Sequence, residues 1–273
     1  MQRTVTRHFY QHAGFRYVQS SAPVVLPQDM YEEESDVTPY CEMHWGNDHF
    51  GVPNFQQALA SCALDAVKNG TTSHALSIGC KVGRTAFELA RTCDHVTGLD
   101  FTARHLKAGV AMRDHGMLRY ILKEEGELIS FHEKKLADFG LAETASRVEF
   151  FQGDISNLVP KYTGYDLVVV ENALELAYAP ASFLAMIHQR MKDGGTLVIA
   201  TTYHWQDEIT KPANRLGGIR RDGEPFTGFD DLKELLAEHF ALQKDAGDLP
   251  WVLPSDARTY THGVSHITVW KKC

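Results

Sequence analysis

The strongest constraint on the fold is a regular alternation of short apolar runs with segments of helical period, starting at His74. HALSIG is a short buried strand, GRTAFELARTC a helix and HVTGLD a second strand. Such a βαβ unit pairs its strands parallel through a right-handed crossover. TARHLKAGVAMRDHG predicts the next helix, and RVEFFQGD and YDLVVVEN predict two further strands; the VVV run fits a strand covered on both faces. PASFLAMIHQRMKDGG follows as a helix stopped by glycine, then TLVIATTYHW as a strand. After the Gly-rich LGGIRRDGEPFTGF come the amphipathic helix DDLKELLAEHF and THGVSHITVWKKC, predicted as an edge strand. The pattern implies an α/β fold with a mostly parallel sheet and helices on both faces.

Two regions stand outside this alternation. Residues 1–54 are expected to form an N-terminal arm and a site-covering segment: YEEESDVTPYCEMHWGNDHFGVPNF is too aromatic for a disordered tail and too irregular for one long helix. Residues 55–273 hold the main domain, opening with the helical FQQALASCALDAVKNG. Within that domain the charged stretch at about 118–145 exceeds what an α/β unit requires, and is expected to be an insertion of helical or hairpin character.

The candidate cofactor site begins at Ser77-Ile78-Gly79-Cys80-Lys81-Val82-Gly83-Arg84, where the first strand turns into the first helix. Small residues there let a ligand approach the backbone, and helix N-terminal amides favour an anion. Gly79 and Gly83 are the close-approach candidates, with Ile78, Cys80 and Arg84 beside them. Asp100, ending the next strand with Phe101 after it, can accept hydrogen bonds from both hydroxyls of a ribose. Asp154 ends a later strand and can accept from an adenine amino group while Ile155 packs on the ring. Asn172 closes the VVVEN strand at the same edge. A nicotinamide cofactor would call for Gly-x-Gly-x-x-Gly, and here Lys81 stands where a close-approach glycine would be expected.

The order of SIGCKVGR, GLD and QGD resembles the three motifs of the class I methyltransferase family, departing at Ser77, where many members carry an acid. The resemblance implies a Rossmann-like sheet and S-adenosyl-L-methionine as cofactor, with S-adenosyl-L-homocysteine as product.

The formal net charge of −8 gives no general electrostatic reason to approach phosphate backbones, so nucleic acid is not an expected partner. No apolar run is long enough to span a bilayer, and the start MQRTVTRHFYQHAGF lacks the apolar core of a secretory leader, so a cytoplasmic protein without a membrane partner is expected. Cys41, Cys62, Cys80, Cys93 and Cys273 form no CxxC pair or zinc spacing, which implies reduced thiols and no metal site.

From about Tyr31 to Lys272 the chain also resembles the ovothiol-biosynthesis methyltransferase family, usually the C-terminal domain of a bifunctional 5-histidylcysteine sulfoxide synthase. The matching pieces include YEEE, YCEMHWG, IGCKVGRTAFELAR, LDFTARHLKAG, YILKEEGEL, VEFFQGD, TTYHW with LGG downstream, and RTY. This resemblance implies methyl transfer to an imidazole nitrogen of 4-mercaptohistidine (5-thiohistidine), giving ovothiol A. The candidate acceptor pocket then comprises Tyr31, Tyr40, Glu42, His44, Trp45, Arg104, Tyr203 and Trp205, with His44, Tyr203 and Asn172 as catalytic candidates. For each aromatic, core packing is the competing reading. Three other functions stay open: a methyltransferase for another small-molecule thiol, amine or hydroxyl; a non-catalytic cofactor-binding subunit; and a nicotinamide oxidoreductase.

Overall fold

The computed structural model describes residues 34–67 and 72–273, with one further two-residue strand at Arg16–Tyr17. The strands are β1 (Arg16–Tyr17), β2 (His74–Ile78), β3 (His95–Asp100), β4 (Met117–Glu125), β5 (Leu128–Lys135), β6 (Val148–Gln152), β7 (Tyr165–Glu171), β8 (Met191–Thr201), β9 (Ile219–Arg221), β10 (Glu224–Phe226), β11 (Phe240–Pro254) and β12 (Tyr260–Lys272). The helices are α1 (Glu34–Trp45), α2 (Phe55–Ala66), α3 (Arg84–Leu89), α4 (Ala103–His115), α5 (Pro180–Met186) and α6 (Gly228–Leu236). Eight strands form one sheet in the order β1-β6-β3-β2-β7-β8-β12-β11, parallel as far as β8 and antiparallel beyond it. This is a Rossmann-like α/β sheet with helices on both faces.

Two cores cover the sheet because its central strands alternate side chains between faces. Ala75, Leu167, Val169, Val198 and Ala200 join one core, with Trp45, Phe87 and Phe150; Leu76, Val168, Val170, Leu197 and Ile199 join the other, with Leu232 and Trp270. The VVV run of β7 therefore feeds both faces. Among the described residues no helix is long and apolar enough to cross a membrane.

The terminal segment is not an edge strand. β12 lies inside the sheet between β8 and β11, and the edge is β11. Pro250 and Pro254 make β11 read as a loop, yet an edge strand has one unpaired side that tolerates a missing N–H, and two register shifts against β12 absorb its irregularity. The helix after β7 is also shorter than expected: α5 ends at Met186, a 3-10 turn reaches Arg190, and Met191 opens β8. Residues 192–195 are taken up where the pairing steps from Tyr165 with Met191 to Leu167 with Thr196. The Gly-rich stretch is a hairpin of β9 and β10, with Asp222 and Gly223 both at positive φ as a primed turn requires. The long charged stretch is the antiparallel hairpin β4–β5 followed by two 3-10 turns that end at Arg147.

Candidate active site

The turns leaving β2, β3, β6, β7 and β8 gather at one edge of the sheet, around a cavity of about 940 Å³ of empty space up to its open mouth. Open α/β sheets bind ligands at this edge. Of the residues expected to hold the cofactor, Ile78, Gly79, Asp100, Phe101, Asp154 and Ile155 form its wall.

Gly79 leaves β2 at φ +77°, and an added Cβ would lie 2.7 Å from the Glu171 carbonyl oxygen and 2.8 Å from the Ala173 Cβ. The glycine is thus required by the neighbouring end of β7 as well as by any ligand. Asp100 is buried at the end of β3; its Oδ2 accepts from the Lys81 N–H at 3.0 Å and its Oδ1 from the Thr102 N–H at 2.8 Å. Burial opposes its charge, but His105, Lys81 and the Thr102 amide outweigh that and hold its pKa below the ordinary carboxylate value. An ionised carboxylate has acceptor capacity left for two hydroxyls. Asp154 caps a 3-10 turn by accepting from the Ser156 N–H at 2.8 Å, with Ile155 beside it.

Four of the expected cofactor residues lie elsewhere. Cys80 is fully buried in the first core. Gly83 faces Phe150, whose Cζ would be 2.6 Å from an added Cβ, so its role is packing between helix and strand. Arg84 is paired with Glu88 at 2.7 Å and lies over the rings of Trp45 and Phe139. The Asn172 Oδ1 accepts from the Ser265 hydroxyl at 2.8 Å, which ties the end of β7 to β12.

The acceptor expectations divide in the same way. Tyr40 of α1 lines the cavity, with its ring edge-on to His105 at 4.8 Å. Glu42 is buried instead between α1 and the β4–β5 hairpin, accepting from the Tyr120 hydroxyl. Trp45 is core, its indole N–H donating to the Val82 carbonyl at 3.2 Å. His44 is fully buried, with the Arg84 N–H donating to its Nδ1 at 3.4 Å and Glu171 at 3.8 Å from its Nε2. Glu42, His44 and Trp45 are all buried around the last turn of α1, and none of them reaches the cavity wall. Arg104 is exposed in the first turn of α4. Tyr203 and Trp205 are half-buried against the second core rather than in the cavity wall. Tyr31, and Glu32 beside it, lie outside the described residues.

Burial, reinforced by Lys81, His105 and Arg84, holds the His44 pKa well below its ordinary 6.5. Above that pH both folded and unfolded imidazoles are neutral; below it the unfolded chain takes up a proton that the fold refuses, so stability falls as the pH falls. The melting temperature of the parent should therefore drop more steeply than that of His44→Asn between pH 6.5 and about 5. Equal slopes in thermal denaturation would mean that His44 accepts a proton in the fold.

Three wall or floor groups escaped sequence reading. Lys81 and His105 line the cavity, and Glu171 is buried beside it, accepting from the Thr85 hydroxyl at 2.6 Å and the Gln56 amide at 3.1 Å. Burial raises the Glu171 pKa against the opposing pull of Lys81, Thr85 and Gln56.

Residues 76–199 match the family model described as a methyltransferase domain, and no curated protein matches the chain. Among solved structures, the N-methyltransferase NodS from Bradyrhizobium japonicum WM9 aligns at 14% identity with a TM-score of 0.50, covering 81% of this chain and 97% of that one. The [4+2]-cyclase SpnF aligns at 14% identity and a TM-score of 0.50, covering 88% of this chain and 96% of that one. At these identities the likeness speaks for the fold, and a cyclase beside a methyltransferase underlines that the fold alone does not choose the reaction. Residues 76–199 thus carry a methyltransferase domain, and the sheet order and the cavity at its carboxyl edge agree with that match. The protein is a methyltransferase, and S-adenosyl-L-methionine is its cofactor. The wall fits that group: a buried ionised carboxylate stands where a ribose would be held, and an apolar side chain flanks a second carboxylate for an adenine.

Proposed function

We propose that the enzyme methylates an imidazole ring nitrogen of 5-thiohistidine (4-mercaptohistidine), giving ovothiol A, and acts on this free amino acid rather than on nucleic acid or a membrane. The observation that carries the reading is the placement of Tyr40, from the YCEMHWG segment of the ovothiol-type resemblance, in the wall of the cofactor cavity. That segment lies outside the general methyltransferase motifs, which supports an acceptor-binding role for the part of the wall that it supplies.

In this account Asp100 holds the ribose hydroxyls, Asp154 takes the adenine amino group with Ile155 against the ring, and Ile78, Gly79 and Phe101 shape the wall. Bound adenosylmethionine supplies an activated methyl group for in-line displacement, so the chain's task is to position the acceptor and exclude water. A neutral imidazole nitrogen is already nucleophilic and needs only its lone pair free. Tyr203, at φ +53° after β8, has its hydroxyl 2.9 Å from His266 Nδ1, and His266 Nε2 meets Asp245 Oδ1 at 2.8 Å, a polar chain beside the second core rather than in the cavity wall. Arg104, exposed in the first turn of α4, is the guanidinium matched to the substrate's α-carboxylate in this proposal.

Asp100→Ala is expected to weaken adenosylhomocysteine binding by about 1–3 kcal/mol in calorimetry, with the circular dichroism of the fold retained. Unchanged affinity would remove Asp100 from the ribose site. The function itself is tested by mass spectrometry of reactions containing adenosylmethionine and 5-thiohistidine, with histidine and unrelated thiols, amines and hydroxyl compounds in parallel. A methylated product with 5-thiohistidine alone supports the reading. A product with another acceptor and none with 5-thiohistidine overturns it.

A further inference from the structure

The glycine turn holds a lysine in a backbone conformation that favours glycine. Lys81 sits at φ +46°, a left-handed conformation that disfavours a side chain, between β2 and α3. Its own N–H is tied to Asp100 Oδ2, so its place in the turn is fixed by the residue assigned to the ribose. The side chain is only 9% exposed, yet it lines the cavity. Its ammonium has three donors and makes one long hydrogen bond, to the Gly79 carbonyl at 3.4 Å, with the Tyr40 ring 5.6 Å away.

The nearby carboxylates do not close on this cation. Glu171 is engaged by Thr85 and Gln56, Asp100 by backbone amides and His105, and Glu175 by the hydroxyls of Thr201 and Thr202. Among the described residues none of them forms an ion pair with Lys81. Burial works against the ammonium, but Glu171, Tyr40 and Asp100 outweigh it and keep it charged. A buried cation with donors to spare, in the wall of a ligand cavity, is a receptor for an anion.

The strand order says which anion. With adenine at the end of β6 and ribose at the end of β3, the rest of the cofactor runs toward β2, the next strand in the sheet, where Lys81 follows Gly79. The single anionic group of adenosylmethionine is the α-carboxylate at that end. We propose that Lys81 binds this carboxylate, and so makes the enzyme selective for the intact amino-acid cofactor over adenosine thioethers that lack it. The proposal rests on the cavity being the adenosylmethionine site and makes no use of the methyl acceptor, so either can fail alone.

The test is calorimetric titration of the parent and Lys81→Met with two ligands: adenosylhomocysteine, and 5′-methylthioadenosine, which lacks the amino-acid end. Lys81→Met should weaken adenosylhomocysteine by about 10- to 100-fold and leave methylthioadenosine within about twofold, while Lys81→Arg restores most of the loss. If the methionine variant does not fold by circular dichroism, Lys81→Gln serves the same comparison. An equal loss for both ligands would mean that Lys81 only shapes the cavity, and an unchanged adenosylhomocysteine affinity would place the carboxylate elsewhere; either overturns the proposal.

Discussion

Gly79→Val should abolish adenosylhomocysteine binding in calorimetry and lower the melting temperature as well. Two costs act together. A β-branched side chain at φ +77° is strained in itself, and its Cβ would lie 2.7 Å from the Glu171 carbonyl oxygen, which is backbone and cannot swing aside. The end of β7 must then move, and Ala173, the next wall residue of the cavity, moves with it. Gly79→Ala meets the same first contact without the branch, and should retain more of the fold while still losing most of the affinity. Binding of adenosylhomocysteine to either variant at the parent's affinity would show that the turn does not shape the cofactor site.

Phe150→Ala should cost about 3–5 kcal/mol of stability and lower the melting temperature by roughly 10 °C. Phe150 is fully buried in β6, and three glycines form its socket. An added Cβ at Gly83, Gly98 or Gly109 would lie 2.6, 2.6 or 3.0 Å from its ring, so α3, β3 and α4 all approach this side chain with bare backbone. Truncation leaves a void that no neighbouring glycine side chain can fill, which places the loss toward the upper part of the range. A fall below about 1 kcal/mol in denaturant unfolding would mean that the elements close over the gap.

These residues also show what the sequence discloses and where it falls silent. The sheet is legible because short continuous apolar runs such as VVV and HALSI differ from the longer helical spacing in FQQALASCALDA, and because Gly79 and Asp100 stand at strand ends, where topology fixes their side of the sheet. Gly83 and Cys80 belong to the same turn and were assigned the same role, yet one faces Phe150 and the other the core. Spacing along a turn does not reveal direction. Glu42, His44 and Trp45 look like pocket chemistry in one dimension, but α1 buries them against Tyr120, Glu171 and Val82. In one dimension Lys81 is only a missing glycine, since its depth and its unfilled donors exist only once α1 and β7 are packed around it. β11 escaped because its prolines and Gly247 carry a loop's composition onto a sheet edge.

Methyl transfer to an imidazole ring nitrogen is the proposed reaction. Its most direct test is nuclear magnetic resonance of the product formed from methyl-labelled adenosylmethionine and 5-thiohistidine. The expected result is a single labelled N-methyl group coupled through bonds to imidazole ring atoms, with no label on sulfur or on the amino nitrogen. Label on sulfur or on the amino group, or no transfer by enzyme that binds adenosylmethionine, would contradict it.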